Sequence, residues 1–154
     1  MEVIKEATIL SLAAVLLGLT VNVLSPSGIP LDRCYQPPAP PSDSPFPIMD
    51  VSQVKDLLDS GSGVIVDARP AEQYKISHIP GACSLPVYQM DEYLFPFLDT
   101  VPPDNPVVTY CSSLTCEDSH LLARELSEMG YSDVRIFAGG MAAWREKGYA
   151  FVAQ

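Results

Sequence analysis

The sequence predicts an α/β domain, a parallel sheet covered by helices on both faces, preceded by one apolar N-terminal helix. Three observations predict it. Short β-branched runs at Val64-Ile-Val-Asp67, Val107-Val-Thr-Tyr110 and Val134-Arg-Ile-Phe137 alternate with amphipathic segments at short intervals, the pattern of strands buried on both faces by crossover helices. Ala7 to Leu24 is an uninterrupted uncharged run of 18 residues. Between the two, Ser25 to Pro47 holds eight of the fifteen prolines and no apolar period.

The N-terminal run is apolar on every face and has no second packing element beside it, which argues against a core helix. Its length matches a minimal bilayer span. A cleaved signal peptide is the rival reading; an uncleaved anchor is favoured because only Ser25 and Ser27 around Pro26 approach a small-x-small site. Lys5 is offset by Glu2 and Glu6, and Arg33 follows the span. Acidic residues count little in the positive-inside rule, so the folded domain is expected on the extracytoplasmic side. Ser25 to Pro47, with Pro-Pro-Ala-Pro-Pro at 37–41, tends to extended polyproline geometry and serves as a semi-rigid spacer. Cys34 lies inside it after Leu-Asp-Arg, not in a lipoprotein context. The expected organisation is an anchor over 1–24, a linker over 25–45 and a folded domain over 46–154.

Within the domain, Pro47-Ile-Met49 is a short apolar strand. Asp50 can cap a helix whose Val51, Val54, Leu57 and Leu58 make one apolar stripe, with Gln53 placed for a capping box. Ser60-Gly-Ser-Gly63 stops it. Val64–Asp67 is a buried strand whose end delivers Asp67 and Arg69 to the carboxyl edge of the sheet, where open α/β sheets bind ligands. Ala71–Lys75 makes a helical turn, and His78-Ile-Pro-Gly-Ala82 a rigid one, in which the histidine braces the chain. Cys83-Ser-Leu85 is a third strand. Tyr88–Leu98 reads as a helix that Pro96 should end or bend.

Val107–Cys111, a polar loop and an amphipathic segment to Gly130 form a strand, a loop and a helix. Leu122, Leu126 and Met129 share one face, with Leu121 beside them. Cys111 therefore sits at the carboxyl end of a buried strand, where loop amides and a helix N-terminus favour an anion. A thiolate is that anion and the nucleophilic form, so Cys111 is the candidate nucleophile. Cys116, five residues on, can reach a persulfide or sulfenate on Cys111 as a resolving cysteine, or can simply pack under the loop. Ala138-Gly-Gly140 opens a last helix through Trp144, ended by Gly148.

The net charge of −10 lacks the basic footprint that a phosphate backbone needs, so no nucleic-acid partner is expected. The 47% hydrophobic content is partly contributed by the N-terminal run, and the length allows one core. Four cysteines (Cys34, Cys83, Cys111, Cys116) are too few and too uneven for a disulfide scaffold, and no Cys/His spacing matches a zinc site. No metal or cofactor is expected.

Four separated stretches resemble the rhodanese (sulfurtransferase) domain family: Val-Asp-Ala-Arg-Pro-Ala-Glu-Gln-Tyr at 66–74, His-Ile-Pro-Gly-Ala at 78–82, Tyr110-Cys111, and Gly139-Gly-Met-Ala-Ala-Trp144 with Gly148-Tyr149. The resemblance covers about Phe46 to Phe151. It implies a five-stranded parallel sheet with flanking helices, and a Cys111 that takes a sulfane sulfur as a persulfide and passes it to a nucleophile. A small sulfur-containing donor such as thiosulfate and a thiol or cyanide acceptor are the implied partners, with a partner protein as an alternative donor. The backbone of Ser112, Ser113, Leu114, Thr115 and Cys116, together with Asp67 and Arg69, is the expected binding site. The loop departs from the family pattern, being about two residues longer and carrying Glu117 and Asp118 but no Arg, Lys or Gly. Two carboxylates beside a thiolate raise its pKa and repel anionic donors. A dithiol oxidoreductase using Cys111 and Cys116, and a non-catalytic binding module, stay open beside the sulfurtransferase.

Overall fold

The computed structural model describes residues 2–25 and 44–153, so Cys34 and most of the proline-rich stretch lie outside the described residues. The chain divides into two units, Met1–Gln36 and Pro37–Gln154. In the first, α1 (Glu2–Leu24) is one continuous helix. From Lys5 to Asn22 it is long and apolar enough to cross a bilayer, and none of that window is buried. A signal sequence meets the same criteria of length and composition.

The second unit is a parallel sheet between two helical layers. Its strands are β1 (Val64–Asp67), β2 (Cys83–Ser84), β3 (Val107–Tyr110) and β4 (Val134–Phe137), in the spatial order β2-β1-β3-β4. The expected fifth strand is reduced to an isolated bridge between Ile48 and Ile136. Its two hydrogen bonds run from Met49 N–H to the Ile136 carbonyl (2.8 Å) and from Ile136 N–H to the Pro47 carbonyl (2.9 Å). Proline has no N–H to extend the ladder, and Asp50 immediately commits the chain to a helix.

That helix, α2 (Val51–Ser60), forms as its residues predict. Asp50 accepts from Ser52 and Gln53 N–H, Gln53 closes the capping box, and Gly61 ends the helix at φ 62°. It buries Val54 and Leu57, each worth about 1.5–3 kcal/mol if fully removed from water. The helix α3 (Ala71–Ile76) follows β1. His78 then braces the turn as expected: its Nδ1 lies 2.8 Å from the Tyr74 carbonyl, and its ring stacks on Tyr74 at 3.8 Å.

Where a helix was expected from Tyr88, the chain makes a 3-10 turn (Val87–Gln89) and then α4 (Met90–Thr100), which continues past Pro96. The proline removes one backbone donor, and Thr100 donates its hydroxyl to the Pro96 carbonyl at 2.9 Å. In α5 (Asp118–Glu128) the buried residues include Leu122 and Leu126. Met129 follows the last helical turn and is 38% exposed, so the apolar stripe is one residue shorter than the periodicity suggests. The last helix is α6 (Gly140–Glu146).

The period of two along each strand divides the core. Val66, Val107, Val134 and Ile136 pack with Phe97 from α4 and with Leu122 and Leu126 from α5. Ile65, Val108, Tyr110 and Phe137 face the opposite way, against Val54 and Leu57 from α2 and Met141 and Trp144 from α6. Parallel strands therefore end together at one carboxyl edge. The loops after β1, β3 and β4 meet there.

Candidate functional site

Cys111 follows β3 directly and is 1% exposed. Its sulfur is bonded to that of Cys116, with the two Cα atoms 6.1 Å apart. The loop curls to permit this: Cys116 N–H donates to the Ser113 carbonyl at 3.1 Å, and the hydroxyls of Ser113 and Thr115 lie 3.0 Å apart. Asp118 Oδ2 lies 3.7 Å from Cys111 Sγ, a contact that a thiol at this position makes as donor. The donor atoms of Cys111, Cys116 and Asp118 all lie within 4.8 Å of one another. With the sulfurs joined, neither is a thiolate, and thiolate is the form that ligates metals.

Glu117 occupies the N-cap position of α5 and makes no side-chain cap bond, while Asp118 is the first helical residue. Asp118 thus stands in the first turn, where a negative charge suits the helix dipole. Its charge also reaches the 3-10 turn: chiefly through Asp118, the exposed Tyr88 phenol is pushed above its ordinary range. Leu114, at the loop tip, is 47% exposed.

The other side of the loop is set by α6. Met141 N–H donates to the Cys111 carbonyl and Ala142 N–H to the Ser112 carbonyl, both at 2.9 Å. This approach requires glycine at 140, because a Cβ there would lie 2.3 Å from the Cys111 carbonyl oxygen, and φ is +55°. The Gly-Gly of the closing motif thus fixes the backbone beneath the candidate nucleophile.

Asp67 is fully buried and Arg69 is 4% exposed. Arg69 Nε donates to both Asp67 carboxylate oxygens (2.8 and 3.1 Å), and its Nη2 donates to Asp67 Oδ2 and to the Ser77 carbonyl, the latter at 2.7 Å. Tyr110, opposite Asp67 in the sheet register, donates its hydroxyl to Asp67 Oδ2 at 2.5 Å. It accepts from Ile79 N–H at 3.2 Å. Burial, reinforced by the Asp67 charge, pushes the Tyr110 phenol strongly up. The Asp67 oxygens are thus engaged inside the protein.

Arg69 also borders an open cleft of about 260 Å³, with Gln73, Ser77, Ser112, Met141 and Arg145 among its lining residues. Ser112 donates to Gln73 Oε1 at 3.3 Å, and Arg145 donates to the Ser77 hydroxyl with its guanidinium 5.2 Å from the Phe151 ring centroid. Arg145, Gln73, Ser77 and Tyr88 were not singled out from the sequence. The available signals were the place of Gln73 inside the 66–74 stretch and that of Arg145 directly after Trp144 of the closing motif. Cys83, by contrast, is free, and burial pushes its thiol up, the property of an inert cysteine.

Comparison with known proteins assigns the arrangement to a family. Residues 50–147 match the Rhodanese-like domain family model. The chain is 31% identical over 104 residues to "Thiosulfate sulfurtransferase GlpE" of Shewanella oneidensis, covering 67% of this chain and 96% of that protein. It is 31% identical over 87 residues to "Adenylyltransferase and sulfurtransferase UBA4" of Candida albicans, covering 54% of this chain but only 19% of that longer protein. The solved BH2092 protein of Bacillus halodurans superposes with a TM-score of 0.62 at 25% identity, covering 70% of this chain and 77% of that one. The sheet with its two helical layers and the matched residues from α2 to α6 belong together: the chain is a member of the rhodanese-like domain family.

Proposed function

We propose that the protein is a membrane-anchored sulfurtransferase that moves sulfane sulfur through a persulfide on Cys111. The observation that carries this reading is the position of Cys111 at the carboxyl end of β3, with its backbone held by α6 amides. Relatives named as sulfurtransferases support it. Loading from thiosulfate forms the Cys111 S–S bond, breaks the donor's S–S bond and releases sulfite; a thiol acceptor then takes the outer sulfur and leaves the Cys111 thiolate. The structure's disulfide must first be opened by two equivalents of an external thiol.

An anionic donor or acceptor has a cationic approach along the cleft, where Arg145 supplies a charge without a carboxylate partner among the described residues. Asp118 beside the sulfur opposes the same anion. We therefore assign a protein persulfide, whose terminal sulfur carries at most one charge, as a better donor than the dianion thiosulfate. The disulfide favours a second reading, a dithiol oxidoreductase using Cys111 and Cys116.

Intact-mass measurement of the reduced full chain after treatment with polysulfide or thiosulfate separates these readings. A gain of one sulfur, about 32 Da, mapped to Cys111 is the expected result. Loss of two hydrogens, about 2 Da, with both cysteines linked and no sulfur-loaded chain at the earliest times, favours the oxidoreductase. No mass change in either direction leaves a binding module.

Residues 7–24 are assigned as the anchor, with the domain on the extracytoplasmic side. After cell fractionation, intact chain is expected only in the membrane fraction, released by detergent and not by salt. Intact chain in the soluble fraction overturns the anchor, and a shortened form beginning near Gly28 identifies a signal peptide.

A further inference from the structure

We propose that Asp118 is the proton-transfer group for the Cys111/Cys116 pair, carrying a proton from Cys116 to the sulfide that leaves when a Cys111 persulfide is resolved. This rests on the persulfide reading given above. In the step, the Cys116 sulfur attacks the inner sulfur of the Cys111 persulfide while its proton passes to Asp118. A Cys111–Cys116 disulfide bond forms, the bond to the outer sulfur breaks, and that sulfur departs as sulfide and takes the proton. The outer sulfur is reduced, the two cysteine sulfurs are oxidised, and hydrogen sulfide leaves without any external reductant.

The geometry brings the three groups together. Cys111 and Cys116 are within bonding distance because the loop returns on itself, so the disulfide in the structure is the product of this step. Asp118 places a carboxylate oxygen 3.7 Å from the Cys111 sulfur and within 4.8 Å of the Cys116 sulfur. Asp118 is the first residue of α5 and not its N-cap. A general base must be within reach of the proton it moves before its pKa matters.

The groups around Asp118 are few. Cys111 reaches it from the end of β3 and Cys116 from the loop, with Glu117 preceding it in sequence. Tyr88, from the 3-10 turn, feels its charge and stays protonated in the neutral range. His120, two residues along α5, is driven toward its neutral form by burial, against a smaller opposing effect of Glu117. It is the rival proton acceptor.

The test is single-turnover resolution on the reduced full chain in detergent, loaded with inorganic polysulfide and freed of excess. Persulfide loss and disulfide gain are followed by mass and released sulfide by a chromogenic assay, between about pH 6 and 8.5, a range that ends at the ordinary thiol pKa. Measuring resolution separately from loading matters, because Asp118→Asn also removes a charge that repels the anionic donor. The wild type is expected to resolve with a shallow pH dependence. Asp118→Asn should load but resolve roughly 100-fold more slowly near pH 6.5, the scale of a lost general base. Its rate should climb about tenfold per pH unit, following the Cys116 thiolate fraction. Asp118→Glu should recover part of the rate, and Cys116→Ser should keep its persulfide.

An unchanged rate and pH profile in Asp118→Asn overturns the proposal. So does slowing by His120→Gln without slowing by Asp118→Asn. Persulfide that forms on the wild type and persists overturns this proposal while leaving the sulfurtransferase reading intact; no persulfide on any variant overturns both.

Discussion

Cys111→Ser is expected to abolish persulfide formation and reduce sulfur transfer to the uncatalysed background, with the fold retained. Serine is close to cysteine in size, so the buried position after β3 is filled with little repacking. The hydroxyl lacks the polarizable thiolate that attacks a sulfane sulfur. Cys116→Ser is the informative partner. It should leave Cys111 able to accept sulfur but unable to close the disulfide seen in the structure. If sulfur instead loads onto Cys116 in Cys111→Ser at the wild-type rate, the nucleophile has been assigned to the wrong end of the loop. If transfer persists with neither cysteine modified, the persulfide mechanism itself fails. Unfolding temperatures of both variants separate chemical loss from structural loss.

The parts legible in the sequence were those fixed by local patterns. Asp50 and Gln53 lie three residues apart and form the capping box on their own, and the β-branched runs identify β1, β3 and β4. Cys111 was located because strand, loop and helix follow one another without interruption. Features that join distant segments were less accessible. Asp67 could be placed on the carboxyl edge, but its pairing with Tyr110 depends on the β1–β3 register, which no local pattern specifies. Gly140 could be read as opening a helix, whereas its approach to the Cys111 carbonyl emerges only when β3 and β4 lie side by side. The fifth strand, expected from the apolar run Pro47-Ile-Met49 and from the family resemblance, failed on local chemistry, since Pro47 limits the ladder and Asp50 begins α2 at once. The loop carboxylates were seen as repelling donors. Only the fold shows that Asp118 also touches the cysteine sulfur.

Arg69→Ala is expected to destabilise the domain by about 3–5 kcal/mol, the usual cost of removing one partner from a buried ion pair. The magnitude follows from what is left behind. Asp67 is fully buried, and the substitution removes its only guanidinium partner among the described residues together with the bond to the Ser77 carbonyl. The backbone N–H at 69 and the Tyr110 hydroxyl still reach the carboxylate, but neither neutralises its charge. For a domain of about 100 residues this corresponds to a fall in Tm of more than about 12 °C. Arg69→Lys should recover only part of the loss, because an ammonium cannot reproduce the forked contact with both carboxylate oxygens. Tyr110→Phe should cost less than Arg69→Ala, roughly 1.5–3 kcal/mol for one hydrogen bond to a charged group. The measurement also separates two roles for Arg69, which lines the cleft beside Ser112 as well as pairing with Asp67. A large drop in Tm for both Arg69→Ala and Asp67→Ala marks the pair as the support that holds the carboxyl edge in register. Wild-type Tm with weakened saturation by an anionic donor in Arg69→Ala would instead make the guanidinium a substrate contact, with the buried pair contributing little to folding.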